Sequence, residues 1–68
     1  MNNITTEVKN LIRKTELFRN MLNYARFGNE HEVIEAIVSM REEVSNGADP
    51  EDVLYDEGLE PDWVLDLL

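Results

Sequence analysis

His31 lies between Glu30 and Glu32. A histidine beside carboxylates is the residue set of general acid–base chemistry. Turnover by such a pair also needs a nucleophile and donors for a developing oxyanion, and the sequence offers neither. His31 therefore reads as a solvent-exposed side chain in the first turn of a helix. The segment "DPEDVLYDEG" gathers acids closely enough to suggest a cation site. It lacks the central glycine and the closing glutamate spacing of a calcium loop, so calcium is rejected. No glycine-rich phosphate loop, paired-carboxylate metal motif or nucleophile elbow appears. There is no cysteine, and a single histidine argues against zinc. No catalytic residue, metal or cofactor is expected, and an enzyme is the least favoured class.

Three arginines are the candidates for holding an anion. Arg19 and Arg26 flank an apolar seam, and Arg41 lies among Ile34, Ile37 and Val44 on an otherwise apolar face. A buried guanidinium must find a partner. Glu7 and Glu16 are the candidate partners for Arg41, unless it sits at a subunit or partner interface. Arg19 and Arg26 are expected to snorkel over the core towards acids. The alternative is that the three hold a small anionic ligand between subunits.

Helices must position these groups, and the pattern predicts an all-α domain throughout. Residues 4–27 read as one long helix, capped by Asn3 and ended by Gly28. Its seam is Ile4, Val8, Leu11, Thr15, Phe18, Leu22 and Ala25. Residues 30–46 read as a second helix, opened by an Asn29/Glu32 capping box and ended by Gly47. Val33, Ile34, Ile37, Met40, Arg41 and Val44 face inward. Glu32, Glu35, Ser39, Glu42 and Glu43 face outward. The short link makes these two an antiparallel helical hairpin. Two short C-terminal helices follow, at 50–57 and 61–67. Each opens on an acid followed by proline, Asp49–Pro50 and Glu60–Pro61, where the missing N–H of proline is harmless. Val53 and Leu54 correspond to Val64 and Leu65 eleven residues later.

At 68 residues the chain makes a single domain. A chain of this size buries only about 60% of its unfolded surface, so good helix packing or oligomerisation must support it. The net charge of −9 is unevenly spread. Residues 1–28 carry five bases and two acids, a net of +3; residues 29–68 carry one base and thirteen acids, a net of −12. The spacing of the last 17 residues is that of a helix-turn-helix. Its second helix holds acids and no base, so direct nucleic-acid binding is not expected, because phosphate contacts need Lys or Arg. The N-terminus has no apolar signal region, no apolar run approaches a membrane span, and a cytoplasmic protein is expected.

The tail "GADPEDVLYDEGLEPDWVLDLL", on a short, acidic, cysteine-free chain, resembles small uncharacterised bacteriophage-type proteins. The resemblance covers about a third of the chain. It implies an accessory protein in a bacterial host cytoplasm that binds and disables a host or defence component.

The reading is a non-enzymatic protein-binding module, homo-oligomeric, acting as an inhibitor or regulator of a macromolecule. One candidate surface is apolar, Leu17, Met21, Tyr24, Trp63 and Leu67, the alternative being that these residues are core covered by the C-terminal helices. The other is acidic: Glu35, Glu42, Asp52, Asp56, Glu60, Asp62 and Asp66. The alternative reading is an acidic DNA mimic, with those carboxylates standing in for phosphates.

Overall fold

The computed structural model describes residues 5–24 and 27–68. The expected Asn3 cap, and Ile4, Ala25 and Arg26, lie outside the described residues. Those described form an all-α fold: α1 (Thr6–Arg13), α2 (Glu16–Leu22), α3 (Glu30–Ser45), α4 (Pro50–Asp56) and a closing 3₁₀ helix (Pro61–Leu67).

The first helix is not one element, and Thr15 is the reason. Its hydroxyl donates to the Ile12 carbonyl at 2.7 Å and accepts the Phe18 N–H at 3.1 Å. It satisfies a carbonyl at the end of α1 and an amide at the start of α2 together. A threonine hydroxyl can offer the backbone this alternative to a continuous helical ladder. Thr15 therefore takes an extended backbone, φ −81° and ψ 153°, as the N-cap of α2. The expected helix over 4–27 is corrected accordingly. α1 opens on its own threonine cap, Thr5, which accepts the Val8 N–H at 3.2 Å.

The break changes which side chains face inward. Leu11 and Leu22 of the expected seam are 60% and 43% exposed, and Ile12, Leu17 and Met21 enter the core instead, beside Phe18, which is buried as the seam expected. In α2, Leu17 and Met21 are one helical turn apart, and Phe18 flanks them. Val8 is half-buried against this core.

α3 follows its pattern closely. Asn29 caps it by accepting the Glu32 N–H at 3.0 Å. Val33, Ile34, Ile37 and Met40 are buried, while Arg41 and Val44 are half-buried. Both α3 and α4 end in a Schellman motif. The Ala48 N–H reaches the Glu43 carbonyl at 3.0 Å, and the Leu59 N–H reaches that of Leu54 at 2.9 Å. Each motif turns on a left-handed glycine, Gly47 at φ 106° and Gly58 at φ 75°. The second motif drives Leu59 into the core beside Leu54, both essentially buried.

α4 opens as expected, with the Asp49 side chain accepting the Glu51 N–H at 2.9 Å and Pro50 in its first turn. The second copy of that start signal behaves differently. Glu60 makes no side-chain cap, and Trp63 takes φ −102° and ψ 22°, so the segment winds as a kinked 3₁₀ helix. The sequence repeat is therefore not a structural one. Val53 and Leu54 are both buried, whereas Val64 is half-buried and Leu65 is exposed. The closing helix packs against α2, α3 and α4 and covers the core through Leu67.

Candidate functional site

Leu17, Met21, Tyr24, Trp63 and Leu67 do not form the apolar surface expected of them. Leu17 and Met21 are wholly buried and Leu67 is 2% exposed. Tyr24 and Trp63 are half-buried against the same core. Once Thr15 starts a new helix, this stripe faces α3 and the closing 3₁₀ helix rather than solvent. The Tyr24 ring stacks on Phe27, with centroids 6.1 Å apart.

Arg41 does not pair with Glu7 or Glu16. Its Nε and Nη2 both donate to the backbone carbonyl of Asp66, at 3.1 and 3.0 Å. The Asp66 carboxylate accepts the Leu17 N–H at 3.1 Å, one of the free amides at the start of α2. Asp66 thus links α2, α3 and the closing helix. It belongs to the framework more than to an acidic surface. Arg19, another proposed anion holder, is exposed; Arg26 lies outside the described residues.

The remaining acids stand differently. Glu35 and Glu42 on α3, Asp52 and Asp56 on α4, and Glu60 and Asp62 at the closing helix are all exposed. One ion pair and one histidine–carboxylate contact occur among the described residues. Arg13 pairs with Glu30, joining α1 to the start of α3. His31 faces Glu35 one turn on, at 3.5 Å, and both are exposed. Glu42, Asp52, Asp56, Glu60 and Asp62 make no ion pair among the described residues.

Of the exposed apolar side chains, Tyr55 was passed over in the sequence, Leu65 was expected to be buried with Val64, and Leu68 could be read there as core or as surface. Tyr55, Leu65 and Leu68 are 73%, 77% and 75% exposed, and all lie in the acidic C-terminal third. The interval of three between Leu65 and Leu68 places them on one face of either kind of helix, and only the packing of the closing helix on α2, α3 and α4 turns that face to solvent. Arg13 was legible only as a basic residue pointing away from the seam, and its partner lies 17 positions away.

Among the described residues no cavity and no cluster of metal-ligating side chains is found. No described helix is long and apolar enough to cross a membrane. No protein-family model, curated protein or solved structure matches the chain. Fold and surface together define a small all-α domain with an acidic outer face.

Proposed function

We propose that the protein is a non-enzymatic binding module whose acidic face engages a basic macromolecular partner. One observation carries this reading: Glu42, Asp52, Asp56, Glu60 and Asp62 are exposed and serve no ion pair among the described residues. No ion pair of the fold uses these charges; Asp52 and Asp62 sit in helix first turns that favour an acid, but the mutual repulsion of so many carboxylates opposes folding. A surface of one sign steers a partner of the other sign and raises the association rate more than the affinity. The phage-type part of the reading, an inhibitor or regulator of a host component in a bacterial cytoplasm, rests on the resemblance of the tail. Homo-oligomerisation enters as a means by which so small a domain gains support.

Acidic DNA mimicry is the second reading, and the outer face of α3 favours it. Glu35 and Glu42 are seven residues apart on that exposed face, about 10 Å along the axis. That is a row of charges rather than an isolated one.

The test is affinity capture from bacterial lysate with the wild-type chain and an E42Q/D52N/D56N/E60Q/D62N variant. The variant must first show an unchanged circular dichroism spectrum. The acidic reading predicts a basic partner that is held at low salt, released at high salt, and absent with the variant. Competition by duplex DNA selects mimicry. Capture that survives both neutralisation and high salt overturns the acidic reading.

A further inference from the structure

In a 3₁₀ helix three residues make one turn, so side chains at i and i+3 lie one above the other. This sorts the closing segment into stripes. Val64 and Leu67 turn inward, half-buried and buried. Trp63 and Asp66 form a half-buried flank. Asp62, Leu65 and Leu68 are all exposed, and the Leu68 N–H donates to the Leu65 carbonyl at 3.4 Å, carrying the winding to the last residue. Leu65 and Leu68, three positions apart beyond the kink at Trp63, therefore share one exposed side of this helix. Tyr55 adds a third exposed apolar group on α4, which packs directly against this helix.

Residues 49–68 surround these side chains with five Asp and three Glu, and with no Lys, Arg or His. We infer that Leu65 and Leu68, with Tyr55, anchor the apolar stripe of a basic amphipathic helix presented by the partner. The inference rests on the acidic binding function proposed above and names the chemistry of its partner. The occupant must match both features of the surface: cations for the carboxylates and an apolar row for the leucines. A polyanion fits neither. A second copy fits less well, since each chain carries −9 and its basic portion nets only +3, with Arg13 already joined to Glu30.

Two synthetic peptides of equal positive charge test this on the full chain. One carries Lys with Leu at helical i, i+3, i+4 spacing. The other replaces every Leu by Ser. Each is titrated calorimetrically, at low salt and at about 0.15 M salt, against the wild type, Leu65→Ser/Leu68→Ser and Tyr55→Ser. These positions are exposed, so the variants keep the fold, and circular dichroism checks that. The expected result is that the leucine peptide binds about tenfold tighter than its serine counterpart, and that the double variant removes the difference. Equal binding of both peptides by the wild type, or unchanged preference in the double variant, overturns the inference and leaves the acidic reading standing. Failure of both peptides to bind at low salt overturns the acidic reading with it. A native-mass dimer that the double variant abolishes assigns the stripe to self-association and overturns the partner-helix inference.

Discussion

The Arg41 guanidinium straddles the backbone carbonyl of Asp66, with Nε at 3.1 Å and Nη2 at 3.0 Å. From the same residue the carboxylate reaches the Leu17 amide. The closing helix is therefore fastened at one position to both α2 and α3. Charge-assisted hydrogen bonds of this kind contribute about 1.5–3 kcal/mol. Arg41→Ala is expected to lose about 2 kcal/mol, because it leaves a partly buried carbonyl without its donors. Arg41→Lys should recover only part of that, since an ammonium cannot place two fixed N–H groups on one oxygen. Asp66→Asn should fall much closer to wild type than Asp66→Ala, because the amide oxygen can still accept from Leu17. Urea unfolding followed by Trp63 fluorescence gives these values. An Arg41→Ala variant within about 0.5 kcal/mol of wild type would remove the fastening role.

Thr15 gives a test by sign. As an N-cap it should cost about 1 kcal/mol to replace by alanine, whereas serine, which caps at least as well, should leave stability unchanged or slightly raised. Were residues 4–27 one continuous helix, Thr15→Ala would stabilise it, because alanine is the better helix former by about half a kcal/mol. Thermal unfolding by circular dichroism distinguishes the two.

The two apolar sets of the N-terminal segment should behave oppositely. Leu17→Ala and Met21→Ala are each expected to cost about 2–5 kcal/mol, since both side chains are wholly buried. Leu11→Ala, at a position 60% exposed, should change stability by no more than about 0.5 kcal/mol. Chemical denaturation of the three variants measures this directly. Comparable losses for Leu11 and Leu17 would restore the seam read from spacing alone.

Stability should rise with salt. The net charge of −9 makes the folded chain repel itself, and raising NaCl from about 0.01 to 0.15 M shortens the Debye length from about 30 Å to 8 Å. The exposed Arg13–Glu30 pair weakens over the same range, but such pairs contribute about 1 kcal/mol at most. A melting temperature that climbs across the titration is expected. A falling one would mean that attractive pairs dominate the surface.

Local signals in the sequence determined the helical class, the inward face of α3, the caps at Asn29 and Asp49, and the stop at Gly47. Each of those depends on residues within about one helical turn of one another, so spacing suffices to read them. The exposed carboxylates were legible for the same reason: charge that finds no apolar environment stays in water. Tertiary structure decided the rest. Nothing in the apolar spacing marks Thr15 as a break, and its choice of cap over continuous helix shows only in the two bonds its hydroxyl makes, to Ile12 and Phe18. That choice turned Leu17 and Met21 from a candidate surface into core. "EPDWVL" repeats the start of "DPEDVL", yet it winds as a 3₁₀ helix whose Asp66 is held from α2 and α3. Leu17 and Asp66 are 49 positions apart. No periodicity spans that interval; the chain must close on itself before one carboxylate can be seen to belong to the framework and two neighbouring leucines to the surface.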